Sequence, residues 1–273
     1  MKNELHMLAN VGFWQTMSFI VTTRNGRICV IDGGRREDAQ HLLDYLRAVS
    51  GSQKPHVDAW FLTHAHDDHI DAFVEIMENR SDECSVGAVY YCFPSIQYFE
   101  TYEKGSAPTL RDFYALMPRI GGIAHTVSTG DVYRLGDATF EVLQTCDDTV
   151  TEDVVNNSST VLRLTQHGKT LLFLGDAGEA AGARLLARYG EGLKSDICQM
   201  AHHGQDGVAR DVYEAIRPET ALWCAPAWLW DNDLKGTGFD TSIFLTVRVR
   251  EWMAEIGTKA HLVAKDGDQV LAL

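Results

Sequence analysis

The stretch THAHDDHIDA, residues 63–72, places three histidines and three aspartates in ten positions. It follows DAWFLT (58–63), a short apolar run rich in strand-forming residues, and it precedes a helical pattern over 70–79. A chain that leaves a buried strand and turns at once into a helix brings the side chains of the turn together. Imidazole and carboxylate converging in one place are the donors that zinc, iron or manganese take. A polar helix start, with Asp67 or Asp68 as cap and the histidines in solvent, would account for a single His-x-His pair. It does not account for His64, His66, Asp68 and His69 at intervals of 2, 2 and 1 directly after an apolar strand.

One metal takes three or four ligands, and a second needs more from elsewhere. Two further strand ends offer them. TLLFLGD (170–176) delivers Asp176 after an apolar run, and DICQMA (196–201) opens onto His202, His203 and Gly204. An Asp after a strand is most often a turn or cap residue, but adjacent histidines at a strand end are not. Together the three strand ends point to one polar centre.

The rest of the chain has room for such a centre. SFIVTT (18–23) and RICVID (27–32) read as a hairpin closed at Asn25-Gly26, and 38–51 reads as a helix closed by Gly51. A strand over 87–92, helices over 95–103 and 109–119, and strands over 132–135 and 139–145 follow. The last third repeats the first in outline. Strands over 159–166 and 170–176 flank an HGK turn; a helix over 179–189, a strand over 196–201, a helix over 208–216, a strand over 220–225, a helix over 242–256 and a strand over 260–264 come next. Two successive halves, each of strands followed by β/α units, predict an α/β fold. Its form is a four-layer αβ/βα sandwich, two mixed sheets face to face with helices outside and the strand-end polar residues on one edge. No linker divides the 273 residues, which read as a single domain over 1–273.

Composition narrows the function. The net charge is −14, and no Lys/Arg cluster supplies the basic face that binding to a nucleic-acid backbone uses. This argues against nucleic acid and for a small-molecule substrate. No apolar run reaches membrane-spanning length, and the N-terminus lacks an apolar signal core. The six scattered cysteines sit mostly in apolar runs without a CxxC, as reduced buried thiols do, so the expected location is the cytoplasm.

The ordered set of a strand running into THxHxDH, a GD after a strand and a His-bearing strand end resembles the metallo-β-lactamase superfamily, from IDGG (31–34) to AHHG (201–204). The resemblance implies two divalent metal ions, most often zinc, with manganese or iron as alternatives. Carried over residue by residue, His64 and His66 hold the first metal, Asp68 and His69 the second, Asp176 bridges both, and His202 completes the second site as the histidine nearer the strand end. His203 is left as a reserve ligand or a proton donor, and Asp68 and His203 are the residues assigned to catalysis. Asp32, Asp67 and Asp71 are candidates for orienting ligands.

One position departs from that pattern. Most two-metal members supply a third histidine to the first metal about twenty residues before the bridging aspartate, and here that position is Asn156. The HTPGH of glyoxalase-II-like and lactonase-like members is missing there, and the flavodiiron glutamate is replaced by His66. VIDGG, NNSSTVLRL, LFLGDAG and MAHHG are similar to the soluble domain of ComEC-type proteins and to phosphorylcholine esterases. That likeness implies hydrolysis of a phosphoester or phosphodiester by a metal-bridged hydroxide. The alternatives are hydrolysis of a carboxylic ester, thioester or lactam, and a metal-binding sensory module without turnover. The aromatic segments YYCFPSIQYFETYEKG (90–105) and WCAPAWLWDNDLKGTGFD (223–240) are candidates for either core packing or a substrate wall.

Overall fold

The computed structural model describes residues Met1–Leu273. Two seven-stranded sheets dominate it. The first runs in the order Gln269–Ala272, Glu4–Met7, Ser18–Thr22, Ile28–Asp32, Ala59–Leu62, Val89–Tyr91, Ala124–Thr126. The second runs Ala260–Val263, Thr220–Trp223, Ile197–Gln199, Lys169–Phe173, Val161–Gln166, Ala138–Gln144, Val132–Leu135. Each sheet is antiparallel over its first strands in the chain and parallel over those reached through helices. The two halves of the chain thus build the same arrangement twice.

Four layers need three apolar interfaces, and three are present. Along Ile28–Asp32, Ile28 and Val30 face the helices outside the first sheet, whereas Cys29 and Ile31 face the other sheet. The period of two sends alternate side chains to opposite faces, and both faces are buried, so these strands read as continuous apolar runs. Between the sheets, Phe19 meets Phe173 and Phe61 meets Phe140, each pair with ring centroids 5.2 Å apart. The third interface packs Leu172, Cys198, Ala221 and Trp223 against the helices Glu179–Tyr189, Arg210–Ile216 and Thr246–Ile256. The four-layer αβ/βα sandwich is therefore the observed fold.

Several local expectations shift. Glu4–Met7 and Gln269–Ala272 are strands that pair with each other, Leu5 opposite Leu271. Strands of four residues carry too few alternations to stand out in the sequence. The helix expected over 70–79 begins at Asp67, and the one expected over 242–256 begins at Thr246. All six cysteines are free thiols, although the Sγ atoms of Cys92 and Cys146 lie 2.8 Å apart. No helix is long and apolar enough to cross a membrane.

Candidate metal centre

The strand Ala59–Leu62 ends one residue before Thr63, and His66 is the extended residue from which the helix Asp67–Asn79 starts. The amides of His69 and Ile70 both close onto the His66 carbonyl. This tight entry puts Asp68 and His69 on the first helical turn, beside the strand-end His64. Behind them lies Asp32, fully buried at the end of its own strand with φ +57°. Its carboxylate accepts three hydrogen bonds of 2.7 Å, from Thr63 N, Thr63 Oγ1 and His69 Nδ1. Thr63 Oγ1, having given its proton to Asp32, takes the proton of His64 Nδ1 at 3.1 Å. His66 Nε2 faces Ser106 Oγ at 3.1 Å and Glu103 Oε1 at 3.3 Å.

The other half of the centre comes from the second sheet. After Lys169–Phe173, the amides of Leu174 and Gly175 donate to Gln199 Oε1, and Asp176 N donates to Ser159 Oγ. A Cβ at Gly175 would lie 2.9 Å from Ser159 Oγ and 3.2 Å from Thr63 Cβ, so the two strand ends meet where glycine lets them. After Ile197–Gln199 the chain folds back through His202, His203 and Gly204, all with positive φ. His203 Nδ1 donates to the Cys224 carbonyl at 3.1 Å.

With these outer protons committed, one ring nitrogen of each histidine is left with its lone pair facing inward: Nε2 of His64, His69 and His203, and Nδ1 of His66. Three of these atoms converge on two carboxylates, and His66 Nδ1 meets His64 Nε2. His64 Nε2 lies 3.1 Å from His66 Nδ1 and 3.8 Å from Asp176 Oδ2. His69 Nε2 lies 3.1 Å from Asp176 Oδ1 and 3.3 Å from His203 Nε2. His203 Nε2 is 3.3 Å from both Asp68 Oδ2 and Asp176 Oδ2. Acceptors packed this closely in a buried site repel one another unless a cation sits among them. A tetrahedral ion with bonds of about 2.0–2.1 Å holds its ligands about 3.3 Å apart, close to the spacing among His69, His203, Asp68 and Asp176. Asp176 Oδ1 is buried and receives no hydrogen bond. Two overlapping groups, His64/His69/Asp176 and Asp68/His69/His203, are each compact enough to hold an ion.

The field of the site favours positive charge. Burial alone would push the His69 imidazole down, but Asp176 and Asp32 outweigh it and hold the group well above its ordinary value. For His203 burial is again the opposing effect, and Asp176 and Asp68 carry the group up to about 9. Asp68 and Asp176 are held below the usual carboxylate range against burial, chiefly by His203 for Asp68 and by His69 and His203 for Asp176. His64, with burial and the neighbouring His69 both acting against charge, is pushed well below its ordinary value.

Five of the six residues expected to hold metal, His64, His66, Asp68, His69 and Asp176, come together. The histidine pair is placed differently from the expectation. His203 is fully buried among the carboxylates, whereas His202, with 21% of its side chain exposed, sits at the rim, Nε2 4.0 Å from Asp176 Oδ2. Distance along the chain favours His202, but the left-handed turn reverses the order in which the two rings meet the centre. Asn156 is buried, donating from Nδ2 to Asp153 while its Oδ1 has no partner. Its neighbour Asn157 accepts through Oδ1 from Ala181 N in the first turn of the helix Glu179–Tyr189. Asp67 and Asp71 face Arg35 and Arg36, not the histidines.

Three neighbours carry no sequence signal of their own. The Arg35 guanidinium pairs with Asp67 and comes within 3.7 Å of Asp68 Oδ2. Glu103 and Ser106 reach His66 from the helical segment between the strands Val89–Tyr91 and Ala124–Thr126. Of the aromatic segments, Phe93, Tyr98, Phe99 and Trp223 are core. Trp228 is buried too, and it stacks on Phe13 with centroids 5.8 Å apart and donates to the Phe13 carbonyl. Phe13 and Trp14 are 54% and 47% exposed, in the loop whose Met17 amide bonds the Asp68 carbonyl.

The sequence matches the metallo-beta-lactamase superfamily model over residues 11–227, most of the chain. The chain belongs to the metallo-β-lactamase superfamily. Solved structures of similar fold include the metallo-beta-lactamase fold protein YhfI from Bacillus subtilis, 14% identical with a TM-score of 0.57, the match covering 98% of this chain and 99% of that one. CmlA, a diiron beta-hydroxylase from Streptomyces venezuelae, is also 14% identical with a TM-score of 0.59; the match covers all of this chain and 54% of CmlA. No protein of curated function matches the sequence. The strand-end histidines and aspartates thus stand in a superfamily fold as a candidate metal-dependent hydrolytic centre.

Proposed function

We propose that this protein is a two-metal hydrolase of small phosphoesters or phosphodiesters. The observation that carries the reading is the set of inward lone pairs on four imidazoles whose outer nitrogens are hydrogen-bonded: those of His69 and His203 face Asp68 and Asp176 at 3.1–3.3 Å, and that of His64 faces His66 Nδ1 at 3.1 Å and Asp176 at 3.8 Å. His64, His66 and Asp176 would hold one ion, and Asp68, His69, His203 and Asp176 the other. Zinc suits this imidazole-carboxylate set, and manganese and iron are the alternatives. When bound, the pair supplies Lewis acidity and lowers the pKa of water towards ~7.

The chain's own residues do the rest. Asp32 and the Cys224 carbonyl fix which nitrogen of His69 and of His203 is free. His203 therefore takes the ligand role, and His202, partly exposed at the rim with Nδ1 3.5 Å from Asp206 Oδ1, is the group placed to give a proton to a leaving oxygen. Arg35, beside Asp68 and one-fifth exposed, can hold a phosphoryl oxygen through its fork of donors. That guanidinium, together with Asn156 in place of a third histidine, supports phosphoryl over carbonyl substrates. The exposed Phe13–Trp14 edge with Trp228 offers an apolar shelf for the remainder of the molecule.

The test pairs metal content per chain with turnover of bis-p-nitrophenyl phosphate, p-nitrophenyl acetate and a chromogenic lactam. Two ions per chain with chelator-sensitive cleavage of the phosphodiester is the expected result. Preference for the acetate or the lactam would replace the substrate class, and bound metal without turnover of any substrate would leave a metal-binding module.

A further inference from the structure

The two metal positions are not built alike. One draws on Asp68, His69, His203 and the shared Asp176, and its imidazoles are locked from behind by Asp32, Thr63 and the Cys224 carbonyl, all within the sheet ends. The other has His64, His66 and the shared Asp176, and Asn156 occupies the position in the chain where the family pattern has a further histidine. His66 is also the one ring that faces inward through Nδ1, and its outer Nε2 is held by nothing from either sheet. Its partners are Glu103 Oε1 and Ser106 Oγ, which also bond to each other at 3.1 Å.

Glu103 ends the helix Ile96–Tyr102, and Ser106 precedes the helix Ala107–Ala115. The second oxygen of Glu103 accepts from Val155 N at 3.2 Å, next to Asn156. One carboxylate therefore ties the helical segment, the 154–156 segment and the His66 ring together. An imidazole that gives its Nε2 proton to a carboxylate keeps its Nδ1 lone pair aimed and becomes more basic. Freed of Glu103, His66 could turn over or carry its proton on the inward nitrogen.

Building on the two-metal reading, we propose that the His64/His66 position is the weaker of the two and that Glu103 is the positioning residue that sets its affinity. Loading of this position is thereby coupled to docking of the 96–106 segment.

The experiment titrates chelator-stripped protein with Zn2+ against a chromophoric competitor. Co2+ absorption serves as a second readout, and hydrogen exchange follows residues 96–106. Wild type should take up two ions in two resolved steps, with exchange over 96–106 slowing on the second. Glu103→Ala should weaken the second step by about 10–100-fold, the usual cost of losing a carboxylate behind a ligating histidine, and leave the first step and its Co2+ spectrum unchanged. Glu103→Gln, whose amide oxygen still accepts from His66, should lose less; it decides the matter if the alanine variant does not fold. Two steps that both survive in Glu103→Ala and Glu103→Gln, or that weaken equally, overturn the proposal alone. Wild type that binds fewer than two ions overturns the reading of the centre and the proposal with it.

Discussion

Asp32 Oδ2 accepts from His69 Nδ1 at 2.7 Å, both side chains being fully buried. The bond fixes the tautomer of the one histidine that belongs to both candidate groups. Asp32→Asn presents an amide that can donate where a proton must be accepted, so His69 would turn its lone pair outward. Metal affinity should fall by about 10–100-fold, and turnover with it, with Asp32→Glu retaining more than Asp32→Asn. Competition titration of the stripped variants checks this; unchanged affinity in Asp32→Asn would remove Asp32 from the centre.

The histidine pair separates ligand from rim residue. His203→Ala should cost one of the two ions, because His203 Nε2 stands 3.3 Å from both carboxylates. His202→Ala should keep both ions and lower kcat by about 10²-fold or more, as expected for loss of a general acid. Metal content and kcat measured side by side give the result, and the reverse pattern would restore His202 as the ligand.

How far this was legible from the sequence differs from residue to residue. His64 and Asp176 could be read because each follows an apolar strand, and His66, Asp68 and His69 because they crowd directly after the first of these strands. The sheets could be read for the same reason, since strands such as Ile28–Asp32 are buried on both faces and show as unbroken apolar runs. The order of His202 and His203 could not, because it depends on three successive left-handed residues, a backbone choice that leaves little trace in side-chain type. Glu103 and Arg35 were hidden for another reason. Each reaches the centre through a contact over thirty or more residues of chain, Glu103 to His66 and Arg35 to Asp68, and a lone charged residue in a polar segment reads as surface.

Metal-free protein should show a distinctive pH dependence of stability. His203 is carried up to about 9 in the folded state by Asp176 and Asp68, against an unfolded value of about 6.5. Its contribution is therefore complete below about pH 6.5 and is lost as pH rises through about 9. Asp68 and Asp176 are held below the unfolded carboxylate value, so their share is complete above about pH 4 and fades only in stronger acid. The Tm of chelator-stripped protein should thus fall between pH 6.5 and 9.5, while that of the metal-loaded protein stays level because ions replace the protons. Parallel declines in both forms would place the titration elsewhere.

Gly204 tests the turn that seats His203. Its φ is +89°, and an added Cβ would lie 2.2 Å from Cε3 and 2.5 Å from Cζ3 of Trp223. Trp223 is fully buried, packed edge-on to Trp230 and bonded through Nε1 to His261, so the ring has no free direction in which to yield. Gly204→Ala therefore combines a left-handed alanine with overpacking against a fixed indole. Each effect costs roughly 1–3 kcal/mol, and together about 2–6 kcal/mol is expected. Because Cys224, whose carbonyl holds His203 Nδ1, directly follows Trp223, relief of the clash should also move the hydrogen bond that aims His203. Urea unfolding of the stripped protein isolates the packing cost. Zinc titration of the same variant then reports whether the Asp68/His69/His203 position weakens while the His64/His66 position holds. A variant with wild-type midpoint and wild-type affinity at both positions would show that the turn has slack enough to absorb a methyl group, and that His203 is seated by something other than this backbone.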